Sequence, residues 1–113
     1  MQWIKLEKEE QLNEIGRLGG YQVILKHNTT CPISRGVLSR FELEPENIPG
    51  VDAMYLLDLL QHRPLSDAIA ERYGVPHQSP QLLLINNGRC TYHEWGYDIS
   101  ADATAGAMKK ARA

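Results

Sequence analysis

The pattern of hydrophobic and polar positions predicts helices and strands in alternation. Apolar residues at helical spacing indicate a helix over roughly residues 7–18, ended by Gly19-Gly20, and a second helix that begins at Pro32 and fades near Glu44-Pro45. Pro64 opens a third helix, and Ser100 caps the last one. Apolar and β-branched runs predict strands at 3–6, 21–26, 51–57, 82–85 and 89–95.

The order of these elements indicates the fold class. Strand–helix–strand units place strands parallel with a right-handed crossover, whereas Asn87-Gly88 is a strong signal for a tight antiparallel hairpin. The run 51–57 is almost continuously apolar, which suits a central strand covered on both faces. We therefore predict an α/β fold with a mixed sheet of four or five strands flanked by helices. A chain of 113 residues suits one domain over 1–113.

Composition narrows the range of partners. Lys and Arg total 12 against 14 Asp and Glu, so the net charge of −2 gives no general attraction to nucleic acid or to an anionic membrane. No apolar run approaches the roughly 18 residues that span a bilayer, and the first residues show no signal-peptide core, so we expect a cytoplasmic protein. No Cys/His pair has zinc-site spacing, so we expect no metal.

Cys31 lies where a strand ends and a helix begins, with Thr30 or Cys31 at the N-cap and Pro32 in the first turn. The first amide groups of a helix lack helical partners and carry partial positive charge, so they favour thiolate over thiol. Such placement lowers a cysteine pKa from about 8.5 to roughly 3.5–7.5, and the thiolate is the nucleophile of disulfide exchange. We predict that Cys31 is a reactive thiol; the alternative is a small buried residue near a helix start.

Ser34 occupies the position where a dithiol oxidoreductase has its second cysteine, which predicts a monothiol mechanism. Its hydroxyl can donate a hydrogen bond to the sulfur of Cys31, and an ordinary first-turn serine is an equally good interpretation. The other cysteine, Cys90, follows the hairpin in a predicted strand. We expect it to be a core or sheet-face residue, with a resolving role as the alternative, because two cysteines are too few for a disulfide framework.

Three further positions are candidates for the same site. The Ser79–Pro80 bond, if cis, lets the backbone of Ser79 face the thiol and pair with an extended substrate; a trans bond at a strand entry is the alternative. His27, four residues before Cys31 in a predicted polar loop, can stabilise a thiolate as a cation or act as a base, or it can be an exposed loop histidine. His77 has the same two interpretations.

The segment 26–38, with its Thr-Cys-Pro-Ile-Ser core, resembles the active-site segment of the monothiol bacilliredoxins, the YtxJ-like family. The similarity continues through 77–81, Asn87-Gly88 and 98–100. It implies a thioredoxin-like fold, Cys31 as nucleophile, Pro80 as the cis-proline of that fold, and removal of bacillithiol or a similar low-molecular-weight thiol from mixed disulfides on protein cysteines. That thiol would be a co-substrate, with no bound cofactor. Cys90 departs from the pattern.

On this hypothesis Cys31 and Ser34 are the catalytic residues. The residues expected to contact substrate flank the thiol in the sequence or the fold: His27, Thr30, Pro32, Ser79 and Pro80. Two alternatives remain. The spacing His27-x3-Cys31-x3-Arg35 is similar to an arsenate reductase motif, which needs further arginines; Arg40, Arg63, Arg72, Arg89 and Arg112 are available. A non-enzymatic binding or regulatory module would need no reactive Cys31.

Overall fold

The computed structural model describes residues 3–43, 48 and 50–112. The strands are β1 (Trp3–Lys5), β2 (Tyr21–His27), β3 (Val51–Asp58), β4 (Gln81–Asn86) and β5 (Arg89–Trp95). The helices are α1 (Glu9–Arg17), α2 (Pro32–Leu43), α3 (Arg63–Tyr73) and α4 (Ala101–Arg112), and a 3-10 turn, Gly96–Asp98, follows β5. The element order predicted from the sequence is confirmed; the predicted end of the second helix near 44–45 lies outside the described residues.

The strands form one mixed sheet in the order β1-β3-β2-β4-β5. Strands β1, β3 and β2 are parallel, whereas β4 runs antiparallel to both β2 and β5. The predicted α/β class with a mixed sheet is therefore confirmed, with five strands. The central strand differs from the prediction: every residue of β2 is buried, whereas β3, which lies between β1 and β2, has an exposed and three partly exposed positions.

Helices cover both faces of the sheet because alternate side chains of each strand point to opposite faces. On one face Val23 and Leu25 of β2 pack in a cluster with Val37 and Phe41 of α2 and with Met108 of α4. On the other face a second cluster joins β2 to α1 and α3 through Ile24, Leu12, Ile15, Leu65 and Ile69. Helices α2 and α4 thus lie on one side, and α1 and α3 on the other.

The turns and helix ends lie where local sequence signals predict them. Asn87 and Gly88 both have positive φ, 52° and 78°, as the two central residues of a type I′ hairpin turn require. Gly74 ends α3 in the left-handed conformation with φ of 67°. At the start of α4 the amide of Ala103 donates to the Ser100 hydroxyl at 3.0 Å, which confirms Ser100 as the cap.

The register of the central strands defines one end of the sheet. Lys26, near the end of β2, pairs with Gln81, the first residue of β4. The loop that leaves β2 toward Cys31 and the loop that enters β4 through Ser79-Pro80 therefore meet at the same end of the sheet. In the described part of the chain no helix is long and apolar enough to cross a membrane.

Candidate active site

Cys31 directly precedes Pro32, the first residue of α2, and its thiol is half-buried. A tight turn presents it: the amide of Cys31 donates to the carbonyl of Asn28 at 3.1 Å. The Asn28 side chain accepts from both the amide and the hydroxyl of Thr30, at 2.9 and 2.8 Å. The carbonyl of Cys31 accepts from the amide of Arg35 at 3.0 Å, the first bond of the helix. The thiol therefore lies at the helix entrance, as predicted.

The surroundings of Cys31 lower the pKa of its thiol below the ordinary value. The largest cause is a hydrogen bond from the backbone amide of Ser34; the amide of Ile33, the hydroxyl of Ser34 and the positive charge of Arg35 add to it. Partial burial acts in the opposite direction and is outweighed. Because these donors stabilise the charged form, the site favours a thiolate.

Ser34 connects the thiol to the loop before it. Its side chain is only 1% exposed, and its hydroxyl oxygen accepts from the amide of Asn28 at 3.3 Å while the hydroxyl donates toward Cys31. The contribution of the Ser34 hydroxyl to the lowered pKa of Cys31 supports the interpretation as a hydrogen bond to the sulfur, and a catalytic role of Ser34 stays a prediction. A serine supplies no second sulfur, so a mixed disulfide formed on Cys31 cannot be resolved within this motif.

The Ser79–Pro80 peptide bond is cis, in agreement with the family resemblance. Pro80 is buried and Ser79 is half-buried at the end of the sheet where α2 begins. The carbonyl of Pro80 accepts from the amide of Gly96 at 3.0 Å, which joins this loop to the 3-10 turn after β5. Their contact with a substrate, like that of Thr30 and Pro32, stays a prediction.

His27 is not in an exposed loop, and that interpretation is wrong. It is the last residue of β2 and only 6% exposed, because β2 extends one residue further than the predicted strand 21–26. Burial lowers the pKa of His27 more than the carboxylates of Asp58 and Glu42 raise it, so the neutral imidazole is favoured. A neutral ring does not supply the positive charge predicted for stabilising the thiolate of Cys31.

His77 contacts a buried cluster that sequence reasoning missed. Its Nδ1 lies 3.1 Å from the hydroxyl of Ser66 and 3.5 Å from Nζ of Lys26. Lys26 is 0% exposed, and its Nζ donates to the carbonyl of Ser66 at 3.1 Å. We call Lys26, Ser66, His77 and the adjoining Gln81 the Lys26 cluster. The signal was present in the sequence: a lysine closes the otherwise aliphatic run 23–25 of a strand predicted to be buried.

Cys90 lies far from Cys31 along the sheet. It pairs with Ile85, which pairs with Gln22 near the start of β2, four residues or about 13 Å from Lys26 at the other end. Its sulfur donates to the carbonyl of Tyr92 at 3.3 Å, and burial raises the pKa of its thiol. Both cysteines are free. The placement supports the prediction of a sheet-face residue over a resolving cysteine.

The arginines that an arsenate site would need are engaged elsewhere. Arg40 donates to the carbonyl of Tyr97 at 2.6 Å and also to the carbonyl of Ile99. Arg63 pairs with Asp67, and Arg72 donates to α1. Arg89 starts β5 at the opposite end of the sheet, and the side chain of Arg112 lies outside the described part of the chain. Among the arginines whose side chains the structure describes, Arg35 is the one whose charge lowers the pKa of the thiol. Among the described residues no group of three or more His, Cys, Asp or Glu is placed to hold a metal ion.

A groove of about 260 Å³ adjoins the loop that leads to Cys31. It lies at the carboxyl ends of the parallel strands, where open α/β sheets commonly bind ligands. Its polar lining comes from the ends of β1, β2 and β3 and from the segments that follow them: Lys5, Glu7, His27, Thr29, Asp58, Gln61 and His62. The lining offers side chains of both charge signs.

Solved structures share this fold. A structure described as an oxidoreductase with a thioredoxin fold is 32% identical over 93% of this chain and 92% of its own, with a TM-score of 0.79. Thioredoxin from Trypanosoma brucei brucei has a TM-score of 0.78 at 13% identity, over 98% of this chain and 91% of its own. Thioredoxin f from spinach chloroplast has a TM-score of 0.74 at 14% identity, over 99% and 95% of the two chains.

The fold and the thiol at the start of α2 thus define a redox protein of the thioredoxin fold. The family model for the monothiol bacilliredoxin BrxC matches residues 4–104. The chain belongs to the monothiol bacilliredoxin family. The resemblance noted from the Thr-Cys-Pro-Ile-Ser segment is confirmed.

Proposed function

We propose that this protein is a monothiol thiol–disulfide oxidoreductase that removes bacillithiol, or a similar low-molecular-weight thiol, from mixed disulfides on protein cysteines. One observation carries the proposal: Cys31 lies half-buried at the start of α2, where the amides of Ile33 and Ser34 and the Ser34 hydroxyl lower the pKa of its thiol, with no second cysteine in the motif. The family match supports the redox class.

The exchange begins with the Cys31 thiolate attacking the sulfur of the small thiol in a mixed disulfide. The new S–S bond joins Cys31 to the small thiol, the old S–S bond breaks, and the target cysteine leaves as a thiolate that takes a proton from water. A second small-thiol molecule then attacks the sulfur of the first. This step releases a small-thiol disulfide and restores the Cys31 thiolate. The target cysteine is reduced and the second small thiol is oxidised, while the first, already oxidised in the mixed disulfide, leaves in the small-thiol disulfide.

The low pKa of the thiol serves both steps. It raises the fraction of Cys31 that is thiolate at neutral pH, and it makes Cys31 a better leaving group when the second thiol arrives. Ser34 contributes to both by donating to the sulfur, and because it cannot attack, the small thiol stays on Cys31 until an outside thiol removes it.

We assign substrate contacts around this sulfur. Ser79 and Pro80, at the same end of the sheet, would pair with the extended backbone of the target, and Thr30 and Pro32 would contact it on either side of the thiol. The buried His27 lines the groove beside Thr29 and would contact the small thiol there. The charged groups of the small thiol would meet side chains of both charge signs in this groove. The partners are then cytoplasmic proteins that carry mixed disulfides.

Mass spectrometry of a purified target carrying a bacillithiol or glutathione mixed disulfide tests the proposal. We expect the adduct to leave the target and appear on Cys31 of the wild-type protein and of Cys90→Ser, and to stay on the target with Cys31→Ser. Alkylation of Cys31 at pH 6 should be much faster than that of free cysteine. Equal alkylation rates with no adduct transfer would contradict the proposal and favour the binding module. Arsenate-dependent oxidation of a thiol reductant would favour the arsenate reductase.

A further inference from the structure

The Lys26 cluster lies directly behind the loop that carries Ser79-Pro80. Lys26 is fully buried in the central strand, although a lysine rarely occupies such a position without partners. The proposed exchange reaction uses neither its amine nor the ring of His77. A buried charged group that the chemistry does not use, held by several polar contacts, calls for a separate physical explanation.

The contacts of the cluster connect three elements. From β2, Nζ of Lys26 reaches the Ser66 carbonyl of α3 at 3.1 Å and Nδ1 of His77, in the loop before β4, at 3.5 Å. The Ser66 hydroxyl lies 3.1 Å from the same Nδ1. Because an ammonium can only donate, the contact with Lys26 favours Nδ1 as an acceptor, with the ring proton on Nε2. The imidazole is therefore fixed by two donors from different elements.

A second attachment holds the same loop. The side-chain amide of Gln81 donates to the carbonyl of Pro76 at 3.0 Å, and Gln81 is itself only 1% exposed and paired with Lys26 across the strands. The loop 76–80 is therefore held at Pro76 by Gln81, at His77 by Lys26 and Ser66, and at Pro80 by the amide of Gly96. Between these points lies Ser79, whose backbone is proposed to face the substrate.

We propose that Lys26 is a positioning residue: its buried amine, together with Ser66, holds His77 so that the loop 76–80 presents Ser79-Pro80 to the disulfide that Cys31 attacks. The arrangement of the loop follows from the contacts above. Its catalytic consequence rests on the proposed function. Movement of His77 away from the cluster would leave the ammonium with one partner fewer in an apolar interior, so the buried charge opposes displacement of the loop.

The charges around the amine make this attachment dependent on pH. Asp67 and Arg63 of α3 act on Lys26 with opposite signs, and His77 is kept neutral by burial and by the positive charges of Lys26 and Arg63. Burial lowers the pKa of Lys26 to about 8. The amine is thus mainly an ammonium at pH 7 and mainly neutral at pH 9.5, where its hydrogen bond to His77 loses the charge assistance.

Hydrogen–deuterium exchange of the peptide covering 76–81 tests the positioning directly and does not depend on activity. In Lys26→Met and His77→Ala we expect its amides to exchange about tenfold faster than in the wild type, the size expected when one hydrogen bond to a charged group is lost. His77→Asn keeps an acceptor near the place of Nδ1 and should retain most of the protection. After correction for intrinsic exchange, wild-type protection should fall from pH 7 to pH 9.5, and in Lys26→Met it should not.

Kinetics with the mixed-disulfide substrate test the catalytic consequence. We expect kcat/KM to fall about tenfold in His77→Ala, mainly through KM, and to recover in His77→Asn, while the alkylation rate of Cys31 stays unchanged in both. Unchanged hydrogen–deuterium exchange of 76–81 in both Lys26→Met and His77→Ala would overturn the positioning role of Lys26. A change in the alkylation rate of Cys31 that parallels the change in kcat/KM would also overturn it, because the cluster would then act on the thiol. Absence of thiol–disulfide exchange activity in the wild type would contradict the proposed function. The hydrogen–deuterium exchange of 76–81 would then still decide whether Lys26 positions the loop.

Discussion

Replacing Lys26 by Met should make the protein more stable at neutral pH, although it should loosen the loop 76–80. The methionine side chain has nearly the length of lysine without its charge, so it can occupy the same fully buried space on the α3 side of β2. Replacement of buried charges by apolar side chains of similar volume is often neutral or stabilising. The Ser66 carbonyl lies within α3 and His77 keeps its contact with the Ser66 hydroxyl, so the variant leaves few polar groups without partners.

The magnitude follows from the pKa of Lys26, which burial lowers from 10.5 to about 8. That change corresponds to at most about 3 to 4 kcal/mol by which the folded state disfavours the ammonium. Loss of the bond to the Ser66 carbonyl offsets about 1 kcal/mol of this amount. We therefore expect the variant to be more stable than the wild type by about 2 kcal/mol at pH 7, within the range seen when buried charges are replaced.

The sign of the pH dependence is set by the direction of the shift. Between pH 8 and pH 10.5 the unfolded chain binds more protons at Lys26 than the folded chain, so wild-type stability rises with pH across this interval. The cost of the buried ammonium is fully present below the folded-state pKa and disappears above the unfolded-state value. The advantage of Lys26→Met should therefore be largest at pH 7 and smaller at pH 9.5.

Urea unfolding followed by tryptophan fluorescence measures this difference at pH 7, 8, 9 and 9.5. Lys109→Met, which replaces an exposed lysine of α4, is the matched control and should change stability by less than about 0.5 kcal/mol at every pH. If Lys26→Met proves less stable than the wild type at pH 7, or if the difference between them does not change with pH, then the ammonium is not a net cost to the fold and the reasoning fails.

Three more outcomes are expected. Ser34→Ala should raise the pKa of Cys31 but leave it below the ordinary value, since the helix amides remain, so alkylation at pH 6 slows several-fold; no change in rate would exclude the hydroxyl as a donor. Cys90→Ser should transfer adducts as fast as the wild type, and a trapped intramolecular disulfide in the wild type would contradict this. Gly88→Ala should lower the free energy of unfolding by about 1 kcal/mol or more, measured in urea, because φ is +78° and the new Cβ would lie 3.1 Å from the Gly16 carbonyl; equal stability would contradict the strain.

Features of the site that depend on neighbouring residues were predictable from the sequence. A cysteine followed by Pro32 after a strand is enough to place the thiol at a helix entrance, because the first turn of any helix exposes its amides. The hairpin at Asn87-Gly88 follows in the same way from the preference of Asn-Gly for positive φ. Ser34 three residues after Cys31 necessarily lies in the first helical turn, within reach of the sulfur.

Features that depend on distant residues were not predictable. The sequence shows His27 as the first residue of a polar stretch, and only the pairing of β2 with β3 and the packing of α2 bury it. The antiparallel direction of β4 beside β2 arises from side-chain packing across the sheet, which no local signal specifies. That pairing brings Gln81 next to Lys26 and carries His77 to Ser66.

Short-range stereochemistry therefore encodes the lowered pKa of the Cys31 thiol, because the amides that lower it lie within three residues of the sulfur. The surface that we propose to receive the substrate has another origin. Lys26, Ser66 and His77 are separated by 40 and 11 positions along the chain, and they meet only when the sheet and α3 have packed together. Burial in that packed interior also lowers the pKa of Lys26. This property cannot be inferred from separate segments of the sequence.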